Sequence, residues 1–253
     1  MAEGMLRRAM TLLAVFDEDD PALTAVQLSA RSGLPLSTTH RVLAQLVAEG
    51  MVDRTADHRY TVGARLWEIG ELSPIALRLR ETALPHLVRL YEATGENVHL
   101  AVLDAPTPAA ATALFAARIT GRASVPTLGR MGGRHPLHTT GVGKALLATR
   151  DDPWLSAYLA VPLLPETTRS ITDGEALRAE IDTARTRGYA VTHGEMTLGN
   201  VSVAAPLGTV TGLPPTALGI VAHADETIER RLAHMVVAAA RELTQDLRGA
   251  RSH

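Results

Sequence analysis

Residues 24–63 read TAVQLSARSGLPLSTTHRVLAQLVAEGMVDRTADHRYTVG. A helical pattern begins at Thr24, breaks at Gly33 and restarts at Ser37 after Leu34-Pro35-Leu36. Glycine takes the positive φ that ends a helix without a Cβ penalty, and proline cannot continue one. A second helix restarting so soon must cross the first sharply, which predicts a helix-turn-helix. The runs Met51 to Arg54 and Arg59 to Val62 read as the two short strands of a wing.

At about 100° per residue, Thr39, Val42, Leu43, Leu46 and Val47 gather on one side of the second helix and are expected to bury against the first. The opposite side carries Ser37, Thr38, Arg41 and Gln45, with His40 at its flank, residue types that bond base edges and phosphates. Ser37 is also a candidate N-cap, which would aim free amides at a phosphate. Thr24 and Gln27 on the first helix, and Arg54, His58 and Arg59 on the wing, join the candidate DNA contacts. Alone, such a helix is equally an amphipathic helix with a solvated face; the preceding helix, tight turn and wing together favour DNA binding.

Outward from this stretch, 253 residues suit a small domain followed by a medium one. The formal charge of −2 excludes a generally basic nucleic-acid coat. Residues 1–72 hold seven arginines against ten acids, with much of the acid at Asp17 to Asp20, so DNA binding would rest on a few placed arginines and be salt-sensitive. The absence of cysteine excludes disulfides, thiolate metal sites and cysteine nucleophiles. The first residues lack a signal-peptide apolar run, and the richest apolar stretch, Val201 to Ala222, is broken by Pro206, Gly208, Gly212, Pro214 and Pro215. A soluble cytoplasmic protein without membrane contact is expected.

Arg7 to Phe16 predicts a first helix with Leu6, Met10, Leu13 and Phe16 on its buried face. Arg65 to Leu72 predicts a connecting helix, and Ile75 to Gly95 a longer one. Strands are expected at Asn97 to Leu103, Thr112 to Ile119, Tyr189 to Glu195, Val201 to Leu207 and Ala217 to Ala222. Helices are expected at Thr140 to Ala148, Pro153 to Leu159, from Asp173 to Arg187, and Glu226 to Leu247. The fold class is α/β of the α+β kind, with a mainly antiparallel sheet covered by helices.

The run LSARSGLPLSTTHRVLAQLVAEG at 28–50, RYTVG at 59–63 and GENVHLAVLD at 95–104 carry a resemblance that continues through PLHTTGVGKALLA at 136–148, SITDGEALRAEI at 170–181, RGYAV at 187–191 and VAAPL at 203–207. In order and spacing these resemble the IclR family of bacterial transcription regulators, from about Leu6 to Leu247. The resemblance implies a winged helix-turn-helix domain over 1–63, a linker helix over 64–73 and a GAF-like effector-binding domain over 74–253. It also implies homodimers, paired into tetramers, acting as repressors or other regulators on double-stranded operator DNA under a small-molecule effector.

Gly141-Val142-Gly143-Lys144 superficially resembles a phosphate loop, but His138 and Ala145 stand where that motif needs Gly and Ser or Thr. A glycine-led helix start still exposes amides able to hold a carboxylate; the plainer alternative is a tight start needing small residues. The family resemblance favours the first. By matching position it implies an effector pocket of Thr140, Gly141, Val142, Thr192, Ser202, Gly219 and Val221. The family often has an acid at position 192 and cysteine at 202, with serines at 219 and 221 in binders of small oxoacids. Thr192, Gly219 and Val221 therefore imply a less polar pocket and a larger organic acid, aromatic or aliphatic.

His135 and His138 lie three apart, but no H-x-x-x-H or H-E-x-x-H occurs, so surface or core histidines are the better reading than a metal site. No G-x-S-x-G elbow occurs, and Ser202 has no base at a recognisable spacing. No catalytic residue, metal or cofactor is expected. Two readings follow: a ligand-responsive DNA-binding regulator that is not an enzyme, or a metabolite-binding protein or enzyme whose winged helix serves protein contacts.

Overall fold

The computed structural model describes residues 4–105, 107–120, 125, 130–224 and 228–249. The chain divides into two compact units, residues 1–73 and 74–253. In the first, α1 (Met5–Leu13), α2 (Ala25–Ser32) and α3 (Leu36–Ala48) pack over a two-stranded wing, β1 (Val52–Arg54) and β2 (Tyr60–Val62), followed by α4 (Ala64–Glu71). The turn between α2 and α3 forms as its residues dictate, with Gly33 at φ 70°. Thr24 opens α2 with a capping box: its Oγ1 accepts from the Gln27 amide, and Gln27 Oε1 accepts from the Thr24 amide at 2.8 Å.

Three local expectations are corrected here. The buried face of α1 is Leu12, with Ala9 and Leu13, and Phe16 buries into the same core just beyond the helix end. Leu6 and Met10 face solvent, being 77% and 58% exposed, because the 9, 12, 13, 16 stripe already fills the core. Ser37 does not cap α3; the helix starts at Leu36 with Pro35, its φ preset, in the cap position and no side-chain cap bond. Val47 is 37% exposed, at the edge of the face that Val42, Leu43 and Leu46 bury. Asp17 and Asp20 turn back onto Arg31.

The second unit opens with a π-helical turn, Ile75–Arg80, leading into α5 (Glu81–Thr94) where a single α-helix is expected from sequence. Then come β3 (Asn97–Asp104), a 3₁₀ turn at Pro108–Ala110, β4 (Thr112–Ile119) and β5 (Arg134–Pro136). The chain continues with α6 (Gly141–Ala148), α7 (Asp152–Leu159), α8 (Gly174–Arg187), β6 (Ala190–His193), β7 (Asn200–Pro206), β8 (Thr216–His223) and α9 (Ile228–Gly249). Glu226, the expected start of the last helix, lies outside the described residues. Among them the strands form one antiparallel sheet in the order β5-β4-β3-β8-β7-β6. The short edge strand β5 is not among the strands expected from sequence.

Strand alternation sorts this sheet into two faces. Val98, Leu100, Val102, Val201, Val203, Leu218 and Ile220 pack with Leu79, Leu87 and Leu90 and with the Leu232–Leu247 stripe of α9. The opposite face carries smaller residues, Ala101, Ala190, Ala204 and Ala217, beneath Val142, Ala145 and Leu146 of α6 and Leu177 and Ile181 of α8. Small side chains let α6 lie close to the sheet, and at its first turn that face opens into a cavity.

Candidate functional site

In the first unit, Ser37, His40, Arg41 and Gln45 lie exposed on one side of α3, with Thr38 half-buried beside them. No hydrogen bond or ion pair occupies Arg41 among the described residues, so its guanidinium is available to a ligand. The other candidates are already engaged to different degrees. Thr24 and Gln27 use their side-chain oxygens in the capping box. Arg54 bonds His58 Nδ1 at 3.1 Å and lies 5.9 Å over the Tyr60 ring. Arg59 donates to the Ala22 carbonyl at 3.0 Å and pairs with Asp57 at 3.3 Å, tying the wing to the start of α2.

In the second unit, Thr140, Gly141, Val142, Thr192, Ser202, Gly219 and Val221 all line one cavity of about 550 Å³, its open mouth included. Register brings them together: Thr192 lies opposite Ser202, and Ser202 opposite Val221. Above this row, Thr140 caps α6 by accepting the Gly143 amide on Oγ1 at 3.1 Å, and its carbonyl takes the Lys144 amide at 2.9 Å. The amides of Gly141 and Val142 keep no protein acceptor among the described residues, as expected of the first helical positions. Gly141 must be glycine for space, since a Cβ there would lie 2.4 Å from Ser202 Oγ. At Gly219 the missing side chain makes room for protein, because a Cβ would meet Val142 Cγ1 at 2.9 Å and Ala204 Cβ at 3.0 Å.

The sequence reading missed the rest of the lining, chiefly His99, Phe115, His135, Thr139, Glu195 and Met196. His99 faces this side because it lies opposite Gly219 in the β3–β8 pair. Phe115 stands between the two imidazoles, edge-on to His99 at 5.1 Å and to His135 at 5.0 Å between ring centroids. Nε2 of each histidine is buried without a hydrogen-bond partner. Burial, then the charges of Arg118 and His135, pushes the His99 pKa down to about 3, so its ring is neutral. Burial also lowers that of His135.

His138 does not line this cavity. Its Nδ1 meets the Tyr158 hydroxyl at 3.1 Å and its Nε2 the Leu164 carbonyl at 2.9 Å, which makes it a core histidine. At the other end of the cavity, Glu195 Oε1 accepts from Lys144 Nζ at 2.7 Å, while its Oε2 is buried and unpartnered. Among the described residues no cluster of three or more potential ligands is placed to hold a metal ion, and no helix is long and apolar enough to cross a membrane.

Residues 75–248 match the profile of the bacterial transcriptional regulator IclR C-terminal domain, and residues 5–56 that of the IclR helix-turn-helix domain. The chain is 31% identical over 239 residues to the glycerol operon regulatory protein of Streptomyces coelicolor, covering 94% of this chain and 92% of that one. It is 29% identical to the Pca regulon regulatory protein of Pseudomonas putida over 251 residues, 96% of this chain and 84% of that one. Among solved structures, an IclR homologue from Microbacterium hydrocarbonoxydans, crystallised with 4-hydroxybenzoate, superposes with a TM-score of 0.89 at 32% identity, covering 97% of this chain and all of that one.

Proposed function

The chain belongs to the IclR family of bacterial transcriptional regulators, with a helix-turn-helix DNA-binding domain and a C-terminal effector-binding domain; we propose that its effector is an organic acid of about one aromatic ring, bound in the cavity beneath α6. The observation that carries this reading is the pair of unpartnered amides at Gly141 and Val142, opening onto a wall of Phe115, Met196 and Val221. The amides and the positive end of α6 suit a carboxylate, and the apolar wall suits a ring or chain. A compact oxoacid would leave the apolar part of the lining, Phe115, Met196 and Val221, uncovered. The 4-hydroxybenzoate found with the Microbacterium homologue is of the favoured class.

In this reading Thr140, Thr192, Ser202 and Gly219 complete the effector site, and α3 with the wing forms the operator contact. Residues 1–63, 64–73 and 74–253 act as DNA-binding domain, linker and effector domain. In this reading the regulator works in the cytoplasm without catalytic activity of its own. Operator recognition needs two-fold pairing, because one winged helix covers one half-site. Apolar side chains left exposed on α1 and α4, namely Leu6, Met10, Trp67 (67% exposed) and Ile69, are the dimer contact, and dimers pair into tetramers.

A mobility-shift experiment on the DNA upstream of the chain's own gene, with and without 4-hydroxybenzoate, glyoxylate or pyruvate, tests this. Binding altered by the aromatic acid supports the reading. Response to glyoxylate or pyruvate alone overturns the effector class, and no specific binding by the dimer at low salt overturns the operator contact.

A further inference from the structure

Resting on that reading of the cavity, we propose that the effector carries an uncharged hydroxyl at the end away from its carboxylate, and that His99 Nε2 is the group that recognises it. His99 is 4% exposed, lines the cavity, and leaves Nε2 buried without a partner. An orphaned polar atom on a cavity wall is costly unless a ligand satisfies it.

Position fits one ring. Gly141 stands against Ser202 on β7, whereas His99 sits on β3, with β8 between them. Two strand spacings across the sheet, with Ser202 two residues along β7 from Ala204 in the row of His99, make roughly 12 Å, which suits a single ring with a polar group at each end and the hydrogen bonds those groups make. Phe115, edge-on to His99, offers the ring an aromatic neighbour.

Chemistry selects the hydroxyl. A neutral imidazole nitrogen either donates or accepts according to tautomer, and a hydroxyl serves both cases, while a carboxylate only accepts. Burial keeps His99 neutral, so it supplies no charge to a second carboxylate. No lysine or arginine lines the cavity among the described residues; Arg118, opposite His99 across β3 and β4, is not in the lining.

Calorimetry on the full chain with benzoate, 4-hydroxybenzoate and terephthalate decides the matter, using wild type, His99→Leu and His99→Gln. Wild type should prefer 4-hydroxybenzoate over benzoate by about tenfold or more, with terephthalate weakest. His99→Leu should bring the first two within about twofold of each other, and His99→Gln should retain part of the preference. Equal binding of benzoate and 4-hydroxybenzoate by wild type, a preference that survives in His99→Leu, or terephthalate binding as tightly as 4-hydroxybenzoate overturns the role of His99 while leaving the acid class intact. If His99→Leu does not fold, the wild-type series and His99→Gln still decide. Binding of none of the three, with glyoxylate bound, overturns the acid class as well.

Discussion

Nζ of Lys144 lies 2.7 Å from Oε1 of Glu195, and the two side chains are 1% and 6% exposed. The pair joins the first turn of α6 to the wall beyond β6, so the only lysine of the chain is a buried structural cation beside the cavity. Burial nevertheless pushes the Glu195 carboxyl up, against the pull of Lys144. Lys144→Met should cost about 3–5 kcal/mol, because it strands a buried carboxylate. A folded-state pKa raised in this way favours the fold at low pH, so the deficit should shrink on acidification. Lys144→Met/Glu195→Leu should recover most of the loss. Urea unfolding of the Trp67→Phe background, followed by Trp154 fluorescence, measures all three; a loss below about 1 kcal/mol for the single variant would show that the pair is not desolvated as described.

His99 sets an acid limit. Its pKa is depressed to about 3, so between there and the ordinary 6.5 the unfolded chain binds a proton that the folded chain does not. Its contribution is complete above pH 6.5 and is lost as pH falls, about 2 kcal/mol by pH 5. His99→Leu should flatten the fall in stability between pH 7 and 5, leaving the slope due to His135 and His138, whose values burial also lowers. Parallel slopes for wild type and variant would contradict the buried neutral ring.

Arg41 is the exposed, unengaged arginine of α3, and Arg41→Ala should weaken operator binding by about 1–3 kcal/mol. Arg59, already held by Ala22 and Asp57, should matter less when removed and act chiefly through wing geometry. Fluorescence anisotropy on an operator selected from random DNA measures both. An Arg41→Ala affinity within about twofold of wild type rules out its place in the groove.

Gly141→Ala puts a methyl 2.4 Å from Ser202 Oγ. Ser202 must turn its Oγ aside and α6 must ease off β7 to clear the Ser202 Cβ at 3.0 Å, which should cost about 1–3 kcal/mol and weaken acid binding together. Gly141→Ala/Ser202→Gly should restore stability in a double-mutant cycle. Independent, additive losses would mean that the close approach is not what demands glycine.

Trp67→Glu replaces an indole that is 67% exposed on α4. Light scattering should show the dimer weakened by about tenfold or more, with the helix-turn-helix still folded. A wild-type chain that is monomeric at micromolar concentration, or a variant with unchanged assembly, removes α4 from the interface.

Local chemistry made much of the molecule legible in the sequence. Gly33 and Pro35 force the turn between α2 and α3 whatever surrounds them, Asp173 caps its helix, and Thr112–Ile119 alternates as a strand because those constraints act within a few residues. The resemblance carried seven cavity residues by position. What only the tertiary structure decided concerns which face meets which neighbour. Leu6 and Met10 match a helical stripe as well as Leu12 does, and periodicity alone cannot choose between two apolar stripes on α1. His99 reads as one more residue of a strand until the β3–β8 register sets it opposite Gly219, 120 positions later. The space freed at Gly219 belongs to Val142, and the burial of the unpartnered Nε2 of His99 on the cavity wall is set by residues far from it in the chain. Caps and turns are short-range and therefore written in the chain; burial and the partnering of polar atoms depend on contacts among residues far apart in it.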